Sequence, residues 1–104
     1  MEKEKTNESI MTNDSVNAIF NEVRETLIKK NADYGGASFD LGLIGNMVHI
    51  HDKESRFRNL VHKEFTGQQP NFESLEDTLK DLIGYCVIGL HILKNRKEDE
   101  KANC

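Results

Sequence analysis

The chain has little of what fixes a compartment or a covalent framework. Its two cysteines, Cys86 in an apolar stretch and Cys104 at the last position, have no metal-ligand spacing and match poorly as a disulfide, so both are expected as free thiols. No apolar run reaches bilayer-spanning length, which excludes a transmembrane helix. Met1 to Asn7 are charged and polar where a secretory signal needs an apolar stretch, so a cytoplasmic location is expected. There is no excess of positive charge: a formal net charge of -4 argues against binding DNA or RNA polymers, which takes a basic surface. A P-loop pattern is missing, and no nucleophile stands beside an evident base. Ser38 has no spaced histidine, and Cys86 is expected on a buried apolar stripe where a thiol is inert, so covalent catalysis is not expected.

What is present reads as helix. Residues 1–12 are polar without periodicity and are expected as a flexible arm. After Asn13-Asp14-Ser15, which can cap a helix, Val16, Ile19, Phe20, Val23 and Leu27 recur at helical spacing up to about Lys30. Asn31 to Phe39 holds Asn, Asp and two glycines and is expected as a loop. A second helix begins between Leu41 and Asn46 and runs to about Phe65, with Leu43, Met47, Ile50, Phe57 and Val61 on one face. Gly67 and Pro70, the only proline, turn the chain back. Asn71 or Ser74 caps the third helix, Ser74-Leu75-Glu76-Asp77 being similar to a capping box, and that helix carries a stripe of Leu75, Leu79, Leu82, Cys86, Leu90 and Leu93 ending near Asn95.

The fold class expected is therefore all-α: a small bundle of a long antiparallel helix pair plus an N-terminal helix. Its division is a 1–12 arm, a 13–95 helical domain and a 96–104 charged tail. At 104 residues one copy buries a modest core, so completion by homo-oligomerisation is expected.

Three constellations carry chemistry. Glu54 falls within the apolar stripe of the second helix, where a carboxylate needs a partner, while Asp77, Asp81 and Tyr85 form a ladder at four-residue steps on the third. Two readings stay open. Glu54, Asp77 and Asp81 could ligate Mg²⁺; or Glu54 pairs with a neighbouring Arg or Lys, Asp77 favours the helix N-terminus, and Asp81 pairs with a basic residue of helix two. The second constellation, His49, Lys53, Arg56 and Lys63, is placed on the polar face of helix two, where Lys53 and Arg56 could neutralise phosphate. The third is Lys30, Tyr34, Gly35, Gly36, Ser38 and Phe39, where glycine amides could cradle phosphate and an aromatic ring could stack on a base.

The runs Asp33-Tyr34-Gly35-Gly36-Ala37-Ser38-Phe39, Asp52-Lys53-Glu54-Ser55-Arg56 and Glu73-Ser74-Leu75-Glu76-Asp77-Thr78-Leu79-Lys80-Asp81-Leu82 resemble, in that order, the phage-associated nucleotide modification associated domain family, type one. The resemblance implies a phosphorylated nucleotide as ligand and, for a phage-encoded chain, the host cytoplasm as location. More distantly, the last run is similar to the all-alpha nucleoside triphosphate pyrophosphohydrolases of the MazG and dimeric dUTPase group, which hold Mg²⁺ with acidic pairs on two helices. Their Glu-x-x-Glu would fall near His51 and Glu54, leaving one acid, and their Glu-x-x-Asp on Thr78 and Asp81 unless Asp77 substitutes, so acids are missing. That departure favours a non-enzymatic protein that sequesters a nucleotide, like the small helical sponge proteins that blunt host immune signalling. An Mg²⁺-dependent pyrophosphohydrolase and a protein-interaction module are the alternatives. The expected ligand contacts are Lys30, Tyr34, Gly35, Gly36, Ser38, Phe39, His49, Lys53, Arg56 and Tyr85, with Glu54, Asp77 and Asp81 as metal ligands only if Mg²⁺ is used.

Overall fold

A computed structural model of the chain describes residues 10–34, 36, 39–68 and 74–103, with backbone only for Tyr34 and residues 97–103. The arm expected before Ile10, the ring of Tyr34, Gly35, Ser38, the turn at Pro70, Glu73 and Cys104 lie outside the described residues.

Three helices follow one another: α1 (Asn13–Tyr34), α2 (Gly42–Phe65) and α3 (Leu75–Asn103). The start of α1 is fixed by a reciprocal cap one residue earlier than the expected Asn13. The amide of Ser15 donates to Thr12 Oγ1 at 3.0 Å and the amide of Thr12 donates to Ser15 Oγ at 2.9 Å, which satisfies donors the first turn leaves over. α1 then runs through Asn31 to Tyr34, past the expected end at Lys30, because its last residues include neither glycine nor proline.

Entry into α2 is tight. Leu41 takes a left-handed conformation (φ 65°) and Gly42 follows at φ +56°. A Cβ on Gly45 would collide with the carbonyl oxygen of Asp40, so glycine is required there by close approach of the backbone. Ser74 caps α3 as the capping-box pattern predicts, its Oγ accepting the Asp77 amide at 3.0 Å. α3 also outruns its expected end at Asn95, since the Lys, Arg, Glu and Asp residues that follow suit a helix and nothing breaks it.

α2 and α3 pack as the expected antiparallel pair. Asn46 meets Gly89, His49 meets Tyr85 and Lys53 meets Asp81, so each step forward along one helix is matched by a step back along the other. The close approach is built on small and polar groups. Asn46, 5% exposed, donates its Nδ2 to the carbonyl of Tyr85 at 2.8 Å and lies against Gly89, where a Cβ would come within 2.5 Å of its Oδ1. Thr78 is fully buried, its hydroxyl donating to the Ser74 carbonyl. The backbone of α1 approaches α3, more sparsely, and among the described residues does not approach α2.

The apolar side chains are distributed otherwise than the periodicity predicts. Val23 and Ile88 are the buried hydrophobic side chains among the described residues, while Ile19, Phe20, Met47, Leu79 and Leu90 are exposed. On α3 the stripe of Leu79, Cys86 and Leu90 faces outward, so the reading of Cys86 as a buried, inert thiol is corrected. The inward face instead carries Thr78, Asp81, Gly84, Tyr85 and Gly89. Glycine admits the neighbouring helix, and Asp81 gains two lysines that apolar packing would not supply.

Candidate functional site

The polar centre of the molecule is Asp81. Lys30 reaches it from α1, Nζ to Oδ1 at 2.8 Å, and Lys53 reaches it from α2, Nζ to Oδ2 at 2.9 Å, so one carboxylate on α3 ties all three helices together. Burial alone would raise the Asp81 carboxyl. The hydrogen bonds and positive charge of the two lysines outweigh it and hold the group below its ordinary range.

Beside the node, between α1 and α3, lies a groove of about 550 Å³. Gly84 forms part of its floor, with Leu27 Cδ1 3.7 Å from where a Cβ would stand, and Val23, Leu27, Val87 and Ile88 line its walls. Lys30, Asn31, Lys80 and Asp81 supply its polar lining, and Tyr85, Phe39 and His91 its aromatic lining. The Phe39 and His91 rings meet at a tilt, centroids 5.5 Å apart. Lys80 is held at the rim by Glu22, Nζ to Oε2 at 3.0 Å, with Glu76 at 3.8 Å. The hydrogen bond to Glu22 raises its pKa against the opposing effect of burial, and the charges of Glu22, Glu76 and Asp77 add to the rise.

Of the residues singled out from sequence, the groove gathers Lys30, Phe39, Tyr85 and Asp81. His49 stands behind it, stacked on Tyr85 with centroids 4.7 Å apart and planes within 7°. Lys53 touches the node from the α2 side with 13% of its side chain exposed. Reading His49 and Lys53 on a face of helix two turned from its packing side is therefore corrected. The packing side is Asn46, His49, Ile50, Lys53 and Phe57, rotated from the predicted stripe, so that Met47 is 63% exposed. Arg56 pairs with Asp52 on the outer surface of α2, Nε to Oδ2 at 3.2 Å, and is not among the lining residues. Gly36 is exposed and accepts the Phe39 amide at its carbonyl, 3.0 Å, which fixes where the Phe39 ring enters.

Among the described residues, Glu54, Asp77 and Asp81 do not gather into the donor set that Mg²⁺ needs. Glu54 is held by Arg58 of its own helix, which lowers its carboxyl chiefly through that hydrogen bond; Asp77 sits in the exposed first turn of α3; Asp81 is taken by the two lysines. Among the described residues no three His, Cys, Asp or Glu side chains gather as metal ligands. The second of the two sequence readings of these acids is thus the one their contacts follow.

Lys80, Asn31, Gly84 and His91 are not among the ligand contacts expected from the sequence. Spacing carried the signal for two of them: Asp81, Gly84, Tyr85, Ile88 and His91 repeat at three and four residues, one helical face. Lys80 and Asn31 are placed by the crossing of α1 over α3, which no local pattern encodes.

Among the described residues no helix is long and apolar enough to cross a membrane. No curated protein and no solved structure matches the chain significantly. Residues 30–93, from the lysine that reaches Asp81 through the outer half of α3, match the family described as Nucleotide modification associated domain 1, and the chain belongs to that family.

Proposed function

We propose that the protein binds a phosphorylated nucleotide in the groove between α1 and α3 and sequesters it without turnover. The observation that carries this is the polarity of the groove. Lys30, which reaches Asp81, and Lys80 line the groove and offer phosphate oxygens charge-assisted hydrogen bonds. Phe39, His91 and Tyr85 offer a base flat π-faces, of the kind worth about 1–3 kcal/mol per stacked base. Apolar walls with a few convergent polar groups and a volume of about 550 Å³ suit a ligand of that size. Membership of a family described by nucleotide modification supports the ligand class. Sequestration is preferred over hydrolysis because Glu54, Asp77 and Asp81 are engaged with Arg58, the first turn of α3 and two lysines respectively. For a phage-encoded chain, such holding would suit a sponge against a host nucleotide signal.

The test is thermal melting against nucleoside triphosphates, cyclic oligonucleotides and ADP-ribose derivatives, with and without Mg²⁺, followed by chromatography of the recovered ligand. A ligand at about a hundred times its Kd stabilises by about 2.7 kcal/mol. Stabilisation by a ligand recovered intact, weakened in Lys80→Ala and Phe39→Ala, is the expected result. A ligand recovered as monophosphate and pyrophosphate would replace sequestration by hydrolysis. No shift with any nucleotide would end the nucleotide reading.

A further inference from the structure

The outward face of α3 is a ready-made contact surface. Leu79, Ile83, Cys86 and Leu90 follow one another at steps of four, three and four, the spacing of a two-helix seam. Leu79 is 41% and Leu90 59% exposed, Cys86 is exposed, and Ile83 is half-buried. We infer that this seam is covered by the same seam of a second copy of the chain, running antiparallel about a two-fold axis between Gly84 and Tyr85.

Two observations select that occupant. First, the pattern reads the same in both directions, so an antiparallel copy sets Leu79 against Leu90 and Ile83 against Cys86, each pair occurring twice, as an isologous interface requires. Second, Glu76 and Lys94 border the seam on the same flank at its two ends. The antiparallel register brings Glu76 of each copy beside Lys94 of the other, and opposite charges then meet at both ends. Val87, which lines the groove and is 38% exposed, borders the seam, so the second copy lies along the open edge of the groove. This inference does not depend on what the groove binds.

Light scattering of the full chain is expected to return twice the 11.9 kDa of one copy, and Leu90→Glu to return one copy with an unchanged far-UV spectrum, since Leu90 is largely exposed in a single copy. Orientation is read by oxidation of mixed variants carrying Cys86→Ser and Cys104→Ser. Leu79→Cys protein mixed with Leu90→Cys protein should cross-link as the mixed pair, because a disulfide needs Cα atoms within about 7 Å. A monomeric wild-type chain, a Leu90→Glu variant that stays dimeric, or Leu79→Cys protein that cross-links to itself would each overturn the inference.

Discussion

The two faces of α3 are built from different materials. The face turned to α1 and α2 sets the buried Ile88 among Thr78, Asp81, Gly84, Tyr85 and Gly89, while the face turned away carries Leu79, Ile83, Cys86 and Leu90. Burial of apolar area is strong but non-directional, whereas an amide seated on a glycine and a carboxylate shared by two lysines accept one register only. The inward face thus sets how the three helices meet, and it leaves the apolar stripe available for association.

The sharpest way to break that comparison is to give the inward face bulk. Gly89→Val sets a branched side chain where Asn46 Oδ1 would be 2.5 Å from the Cβ, and should cost about 3 kcal/mol in urea unfolding by overpacking. A change of similar size on the outward face, Leu90→Ser, should alter unfolding of a single copy by less than about 0.5 kcal/mol, as exposed positions do, and act only through assembly.

Next in size is Asp81→Asn, which deprives Lys30 and Lys53 of their shared carboxylate and should cost about 2 kcal/mol at neutral pH. Its pH dependence sharpens the point. Because the Asp81 carboxyl lies below its ordinary range in the fold, the stability it contributes is present at neutral pH. That contribution is lost as acid carries the solution down through the depressed pKa. Acid titration of unfolding should show this loss in the wild type and lack it in Asp81→Asn.

The helix pattern itself was legible. Three helices, the Ser74 cap and the antiparallel pair follow from periodicity and capping residues; Lys30 and Phe39 stand out in the segment expected as a loop, and Asp81 and Tyr85 in the ladder of the third helix. The rotation of α2 was not legible. Met47 and Ile50 are equally apolar, and choosing Asn46 and Lys53 as inward depends on Gly89 and Asp81 waiting on another helix. Lys80 and Asn31 escaped for the same reason, since a groove between crossing helices is a property of the crossing.

Smaller effects calibrate the rest. Ser74→Ala should lower stability by about 1 kcal/mol through loss of the α3 cap, measured by urea unfolding. Arg58→Gln should leave the melting temperature unmoved, because its pair with Glu54 is a surface contact within one helix. Arg56→Ala should leave the affinity of any nucleotide that the groove binds unchanged in calorimetry, since Arg56 pairs with Asp52 away from the lining residues.

By itself the sequence determined that three segments are helical, which residues could cap α3 and which residue types could meet a phosphate or a base, because these depend on neighbours within a turn or two of the chain. Only the tertiary structure decided which face of each helix turns inward, that Asp81 serves two lysines rather than joining Glu54, and that Lys80 and His91 share a groove with Phe39. Those choices rest on contacts between residues far apart in the chain, where the steric allowance of one glycine and the charge of one carboxylate outweigh the local preference of an apolar stripe.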